Sequence, residues 1–270
     1  VKKYKRVLSY SDIDLSRWKE YEDIITDSLW IMKSRQNTNG HRLDYHGNFI
    51  PQIANQTFRR YTKENEIIVD WFLGSGTSAI EAVNLNRRLI GVELRPDLVE
   101  LVYSKLPQEV LGNRIRLIEG DSTQPSTKNA VREALQEMGA DNAQLAVLHP
   151  PYGDIIKFSN MDADLSNYPT TESFLKGFCL VARNAYETLQ EGRFAVLVIG
   201  DKYADGELDP LGFKCMQVMQ DVGFRLKSIV VKNIEGNEKG KGPNNNLWRY
   251  RALAGGFYIF KHEYVMIFRK

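Results

Sequence analysis

One segment constrains the fold more than any other. Residues 67–77 read Ile67-Ile68-Val69-Asp70-Trp71-Phe72-Leu73-Gly74-Ser75-Gly76-Thr77, an apolar strand that breaks into a glycine-rich turn. The helix predicted over Ser78–Asn86 follows directly. Glycines suit a backbone that turns tightly and must approach a ligand with no Cβ in the way. The start of the helix offers unpaired N–H groups to an anion. About twenty residues further on, a second strand, Leu89–Glu93, ends in an acid. A carboxylate there is placed to accept hydrogen bonds from ribose hydroxyls, so the unit points to a ribose-bearing cofactor. Gly74-Ser75-Gly76-Thr77-Ser78-Ala79 also fits a relaxed dinucleotide fingerprint, which keeps a nicotinamide-dependent dehydrogenase open. After the third strand come Asp121 and Ser122. Asp121 either hydrogen-bonds an adenine amino group or caps a turn.

The rest of the chain alternates short apolar runs with amphipathic stretches, the pattern of an α/β sheet protein. Seven strands are predicted, over Ile67–Phe72, Leu89–Glu93, Ile115–Glu119, Leu145–Leu148, Phe194–Ile199, Lys227–Lys232 and Tyr264–Phe268. Helices are predicted over Ser78–Asn86, Pro96–Lys105, Asn129–Met138, Thr171–Gln190 and Asp209–Val222. Gly153–Pro169 and Ile234–Gly256 read as loops long enough to be functional. Trp18, Trp30 and Trp71 read as core residues. The 270 residues suffice for one large domain. Hydrophobic residues at 43% and charged residues at 26% exclude collagen-like, disordered and coiled-coil chains. Two cysteines, Cys179 and Cys215, exclude a disulfide framework, and His41 and His262 lack metal-ligand spacing, so no metal is expected. No apolar run approaches the roughly 20 residues of a membrane span, and no apolar stretch follows the basic start. A cytoplasmic protein is expected.

The fourth strand carries the chemistry. Leu145-Ala146-Val147-Leu148 runs straight into His149-Pro150-Pro151-Tyr152-Gly153-Asp154. In open α/β sheets ligands sit outside the carboxyl ends of the strands. Two prolines hold that turn extended and set the Pro150 carbonyl beside the His149 side chain. Tyr152 offers an aromatic face to a planar base.

Asp70-x-Phe72-x-Gly74-Ser75-Gly76-Thr77 followed by His149-Pro150-Pro151-Tyr152 resembles the amino-methyltransferases of DNA, which methylate adenine N6 or cytosine N4 from S-adenosylmethionine. Tyr45-His46-Gly47-Asn48-Phe49-Ile50-Pro51-Gln52 resembles the family segment that helps hold the methionine end of the cofactor. Residues 260–269 resemble its closing strand. The motif order, cofactor segment first, resembles the permutation called gamma. The resemblance implies a Rossmann-like class I methyltransferase fold, a mainly parallel seven-stranded sheet with an antiparallel last strand. It also implies that His46, Phe49, Pro51, Asp70, Phe72, Gly74, Ser75, Gly76, Thr77, Glu93, Asp121 and Ser122 form the cofactor site. His149, Pro150, Pro151 and Tyr152 would be catalytic. In the family the first motif residue is usually Asp, Asn or Ser; with the first proline carbonyl it accepts hydrogen bonds from the target amino group. His149 departs from this, and only a neutral imidazole can accept such a bond. Activity is therefore expected to fall as the pH drops through the His149 pKa, with a change between pH 5.5 and 8. A target amino group inside a duplex cannot meet the methyl donor, so double-stranded DNA with base flipping is implied. Adenine is favoured over cytosine on general frequency alone.

The net charge of +2 says little about partners, but local charge says more. Lys239, Lys241, Arg249 and Arg251, interleaved with Asn245 and Trp248, suit phosphate contact and base reading. Lys157 and Phe158 could close over a flipped base. The expected division is an N-terminal extension over residues 1–44 packed on a catalytic domain over 45–270, with 234–256 as target-recognition loop. No long separate recognition domain is expected after the motifs, unlike in larger members. An RNA base methyltransferase and a weakly active DNA-binding subunit remain the alternatives.

Overall fold

A computed structural model describes residues 8–35, 47–204, 206–234 and 245–270. Its main sheet contains strands β1 (Leu29–Trp30), β2 (Ile67–Asp70), β3 (Arg88–Glu93), β4 (Ile115–Glu119), β5 (Ala143–Leu148), β6 (Leu189–Ile199), β9 (Arg225–Asn233) and β10 (His262–Arg269). They lie in the order β1-β9-β10-β6-β5-β2-β3-β4. β2 pairs in parallel with β3 and β5, and β5 in parallel with β6. β10 runs antiparallel between β6 and β9. The sheet is thus mainly parallel with a reversed last strand, as expected. All seven predicted strands are present. An eighth, β1, is two residues long and pairs in parallel with β9 at the edge. It is too short to leave a periodic signal.

β2 is buried along its whole length, as a central parallel strand covered on both faces must be. Its side chains alternate between two cores. Ile67 and Val69 pack with α4 (Pro125–Glu137), α5 (Thr171–Thr188) and α6 (Leu211–Val222). Ile68 packs with α1 (Pro51–Tyr61), α2 (Thr77–Asn84) and α3 (Pro96–Lys105) on the other face. Proline opens α1, α3 and α4, where its missing N–H costs nothing. A capping box between Thr170 and Ser173 starts α5. Gly223, at φ 123°, ends α6.

Several local readings change: the helix predicted from Asn129 already begins at Pro125. Thr171–Gln190 is helical only to Thr188, because Leu189 already begins β6. The helix predicted from Asp209 begins at Leu211, since Asp209 closes a small ribbon of β7 (Lys202–Ala204) and β8 (Glu207–Asp209). The loop predicted over Ile234–Gly256 contains a helix, α7 (Asn245–Gly255). Trp30 and Trp71 are core, but Trp18 is 64% exposed and its ring carries Lys19 5.7 Å from its centroid. Among the described residues no helix is long and apolar enough to cross a membrane.

β2 and β5 are neighbours from which successive crossovers leave in opposite directions. Such a switch point opens a crevice at the carboxyl ends of the strands. The glycine turn follows β2 and the His-Pro-Pro-Tyr turn follows β5, so the topology brings both to one crevice.

Candidate active site

A cavity of about 420 Å³ occupies that crevice. Its wall includes His149, Pro150, Pro151, Tyr152, Phe49, Phe72, Gly74, Thr77, Glu93, Asp121, Ser122 and Phe158. Twelve of the sequence-predicted residues are therefore brought together, Phe49 from the segment before α1 and the others from β2, β3, β4, β5 and the turns and loops beyond them.

Gly74 and Gly76 adopt φ 57° and 88°, left-handed values that shape the turn into α2. A Cβ on Gly76 would stand 2.8 Å from Val102, so this position needs its glycine for packing as well as for conformation. No side chain caps the start of α2, and its first turn holds no acid. Its unpaired N–H groups thus remain open to an anion. Glu93 braces the turn from β3: it accepts from the Gly74 N–H at 2.7 Å and from the Arg95 N–H at 2.9 Å. Burial raises its pKa, against the pull of those two N–H groups. Asp121 accepts from the backbone and hydroxyl of Thr123, both at 2.8 Å, and from Gln124 at 3.0 Å. It is an Asx-type turn cap that also lines the cavity. Ser122 donates its hydroxyl to the Trp71 carbonyl at 2.6 Å.

Several predicted residues lie just behind the wall. Asp70 is buried beneath the turn and accepts from the Phe72 N–H at 3.0 Å. Burial pushes its pKa up to about 6. Ser75 is buried and bonded to Asn48, which does line the cavity. Pro51 starts α1, and Gly76 and Lys157 also stand outside the wall. Phe158 is held by Ser166, which accepts from its N–H at 3.1 Å, and by Arg95, which donates to its carbonyl at 2.9 Å. Its ring fills the space over Gly47, where a Cβ would stand 2.6 Å away. His46, Lys239 and Lys241 lie outside the described residues. Asn245 begins α7; Arg249 and Arg251 are exposed on that helix, and the Arg251 guanidinium sits 5.3 Å from the Trp248 ring centroid.

The His-Pro-Pro-Tyr turn has a polar backing that sequence reading missed. The Tyr152 hydroxyl donates to Glu263 Oε2 at 2.7 Å, and Lys232 donates to Glu263 Oε1 at 2.7 Å. Lys232 and Glu263 are buried, line the cavity, and face each other in the β9–β10 register. His149 Nε2 stands 3.4 Å from the Tyr152 oxygen. Its ring meets Phe49 and Tyr152 edge-on, with centroids at 5.2 and 5.8 Å. Desolvation holds the His149 pKa down at about 4, with Glu263 opposing and Lys232 assisting. The shift favours the neutral imidazole near pH 7, the form that can accept a hydrogen bond. The expected loss of activity moves below pH 5.5, so a flat profile from 5.5 to 8 no longer weighs against His149. The signal the sequence offered was a charge bordering each apolar run, Lys232 after Ile229–Val231 and Glu263 before Tyr264–Phe268; their burial appears only in the fold.

Fold and cavity together define a Rossmann-like α/β protein with a crevice at the switch point of its sheet. Residues 2–104 match the N6/N4 methyltransferase family model described as DNA methylase. The type II methyltransferase M.MjaII of Methanocaldococcus jannaschii is 35% identical over 52 residues, 19% of this chain and 10% of that protein. M.BglII of Bacillus subtilis, also a type II methyltransferase, is 36% identical over 69 residues, 26% of this chain and 18% of that protein. The chain thus spans under a fifth of either relative in the matched stretch. TrmN from Thermus thermophilus shares the fold with a TM-score of 0.51 over 83% of this chain and 50% of that one, at 15% identity. Residues 2–104 are thus similar to DNA methylases of the N6/N4 family, and the solved structure shares the fold. The cavity lining suits S-adenosylmethionine, the cofactor that the family resemblance implies. Apolar Phe72, Val92 and Leu94 can face the adenine, Glu93 the ribose hydroxyls, and the open start of α2 the carboxylate.

Proposed function

We propose that this chain methylates an exocyclic amino group of a base in DNA, adenine N6 in preference to cytosine N4, with the base turned out of the duplex. One observation carries the reading: the His149-Pro150-Pro151-Tyr152 turn and the Glu93-braced glycine turn share one cavity. The bound cofactor would supply an electrophilic methyl group on sulfur. Glu93, Thr77 and Asp121 would hold it, with Phe49 and Asn48 covering it from the 47–50 segment. Tyr152 and Phe158 would flank the planar base. His149 and the Pro150 carbonyl would accept the two amino hydrogens, which localises the nitrogen lone pair and turns it toward the methyl group. A pKa near 4 suits His149 to accept a hydrogen bond rather than to store a proton. The proton shed by the methylated nitrogen would pass to water. Arg249, Arg251 and Lys157, all exposed, would meet phosphates.

Incubation with methyl-labelled S-adenosylmethionine and either unmethylated DNA or RNA tests the reading. Label in DNA is expected. Label in RNA alone would replace the DNA substrate by an RNA base.

A further inference from the structure

A buried lysine–carboxylate pair is weak evidence for stability, because desolvation offsets most of the attraction. Lys232 and Glu263 are nevertheless buried near the ends of two strands, beside the buried hydrophobics Val230, Tyr264 and Val265. What they touch suggests a purpose. Lys232 occupies Glu263 Oε1, which leaves Oε2 to take the Tyr152 hydroxyl hydrogen at 2.7 Å. That phenol has one hydrogen to give, and the carboxylate is both nearer than His149 Nε2 and charged. The oxygen therefore turns a lone pair toward Nε2, 3.4 Å away. An unprotonated Nε2 would face that lone pair with its own. Gly200 permits the arrangement: a Cβ there would stand 2.9 Å from Tyr152 Cε2 and push the ring off its place.

We propose that Glu263, anchored by Lys232, is a positioning residue that acts through Tyr152 to hold His149 as its Nε2–H tautomer, leaving Nδ1 as the ring's acceptor for the target amino group. This rests on the methyl-transfer reading above for its purpose, but not for its geometry. It assigns the tyrosine hydroxyl a role that its aromatic face does not need. It also explains how histidine can stand where an acceptor is required: a ring free to exchange tautomers would present an N–H to the amino group part of the time.

The full chain labelled with nitrogen-15 histidine tests this, with His149→Asn identifying the His149 signals among those of the four histidines. At pH 7 the wild-type ring is expected to show a protonated Nε2 and an unprotonated Nδ1. Tyr152→Phe keeps the ring and the ion pair; it should give a mixture of tautomers. In the methyl-transfer assay the same variant should lose kcat by about tenfold, the worth of one hydrogen bond. Its KM for S-adenosylmethionine should not change. An Nδ1–H tautomer in the wild type, an unchanged tautomer in Tyr152→Phe, or an unchanged kcat would each overturn the proposal. A wild-type protein with the expected tautomer but no activity on any nucleic acid would overturn the function proposed above and leave the hydrogen-bond chain standing.

Discussion

Asp70 and His149 should pull the stability of this protein in opposite directions with pH. Asp70 has an ordinary pKa of 3.8 and reaches about 6 when buried in the fold. Between those values the folded state holds a proton that the unfolded chain releases. Its stabilisation is complete below pH 3.8 and is lost as pH rises through about 6. At about 1.4 kcal/mol for each pKa unit the loss is about 3 kcal/mol. His149 runs the other way. Its pKa falls from 6.5 to about 4 on folding. The unfolded chain then binds the extra proton, and about 3 kcal/mol is lost as pH falls from 6.5 through about 4. The two contributions cover nearly the same window and largely cancel. Removing either should expose the other. Urea unfolding of wild type, Asp70→Asn and His149→Asn at half-unit steps from pH 4 to 7 reads this directly, and subtraction of the wild-type curve removes the carboxylates common to all three. Relative to wild type, Asp70→Asn should gain stability with rising pH, and His149→Asn should lose it, each by about 3 kcal/mol across the window. Three parallel curves would refute the desolvation argument for both groups.

The remaining predictions concern the pair behind the turn, the cofactor and the nucleic acid. Lys232→Met should cost about 3–5 kcal/mol in urea unfolding at pH 7, because Glu263 is left buried without its partner; Lys232→Met with Glu263→Gln should recover most of that loss. S-adenosylhomocysteine at a hundredfold its Kd should stabilise the protein by about 2.7 kcal/mol, seen as a raised Tm, while NAD leaves Tm unchanged. Replacing Arg249 and Arg251 together by alanine should lower the slope of log affinity for DNA against log salt by about two, with no change in S-adenosylhomocysteine binding. The rate at saturating substrate should stay flat from pH 5.5 to 8 if His149 is the acceptor, since its pKa of about 4 lies below that range. A single ionisation inside the range that disappears in His149→Asn would place that pKa wrongly.

Much of the site was legible because its signals are local. Gly74 and Gly76 follow β2 within six residues, and the four residues from His149 to Tyr152 are contiguous. Glu93 was found because a βα turn and the next strand keep a fixed separation. The polar backing was hidden for the opposite reason. Lys232 and Glu263 are 31 residues apart and meet only through the antiparallel register of β9 and β10. Each stands at the edge of an apolar run, where a charge reads as a strand end. Asp70 shows a different limit: its place in the strand was readable, but its side chain turns to the Phe72 N–H beneath the turn instead of into the cavity. α7 escaped notice because Gly242, Pro243 and Asn244 to Asn246 read as a turn, while Leu247, Tyr250 and Leu253 are exposed and bury no face that would set a period.

The most direct test is to identify the methylated nucleoside. DNA treated with the protein and methyl-labelled S-adenosylmethionine should yield, after digestion to nucleosides, label in N6-methyladenine, with none when His149→Ala replaces the wild type. Label in N4-methylcytosine would keep the chemistry and change the base. Absence of label from DNA, with a protein shown to bind S-adenosylhomocysteine, would contradict the assignment of this cavity to amino methylation of DNA.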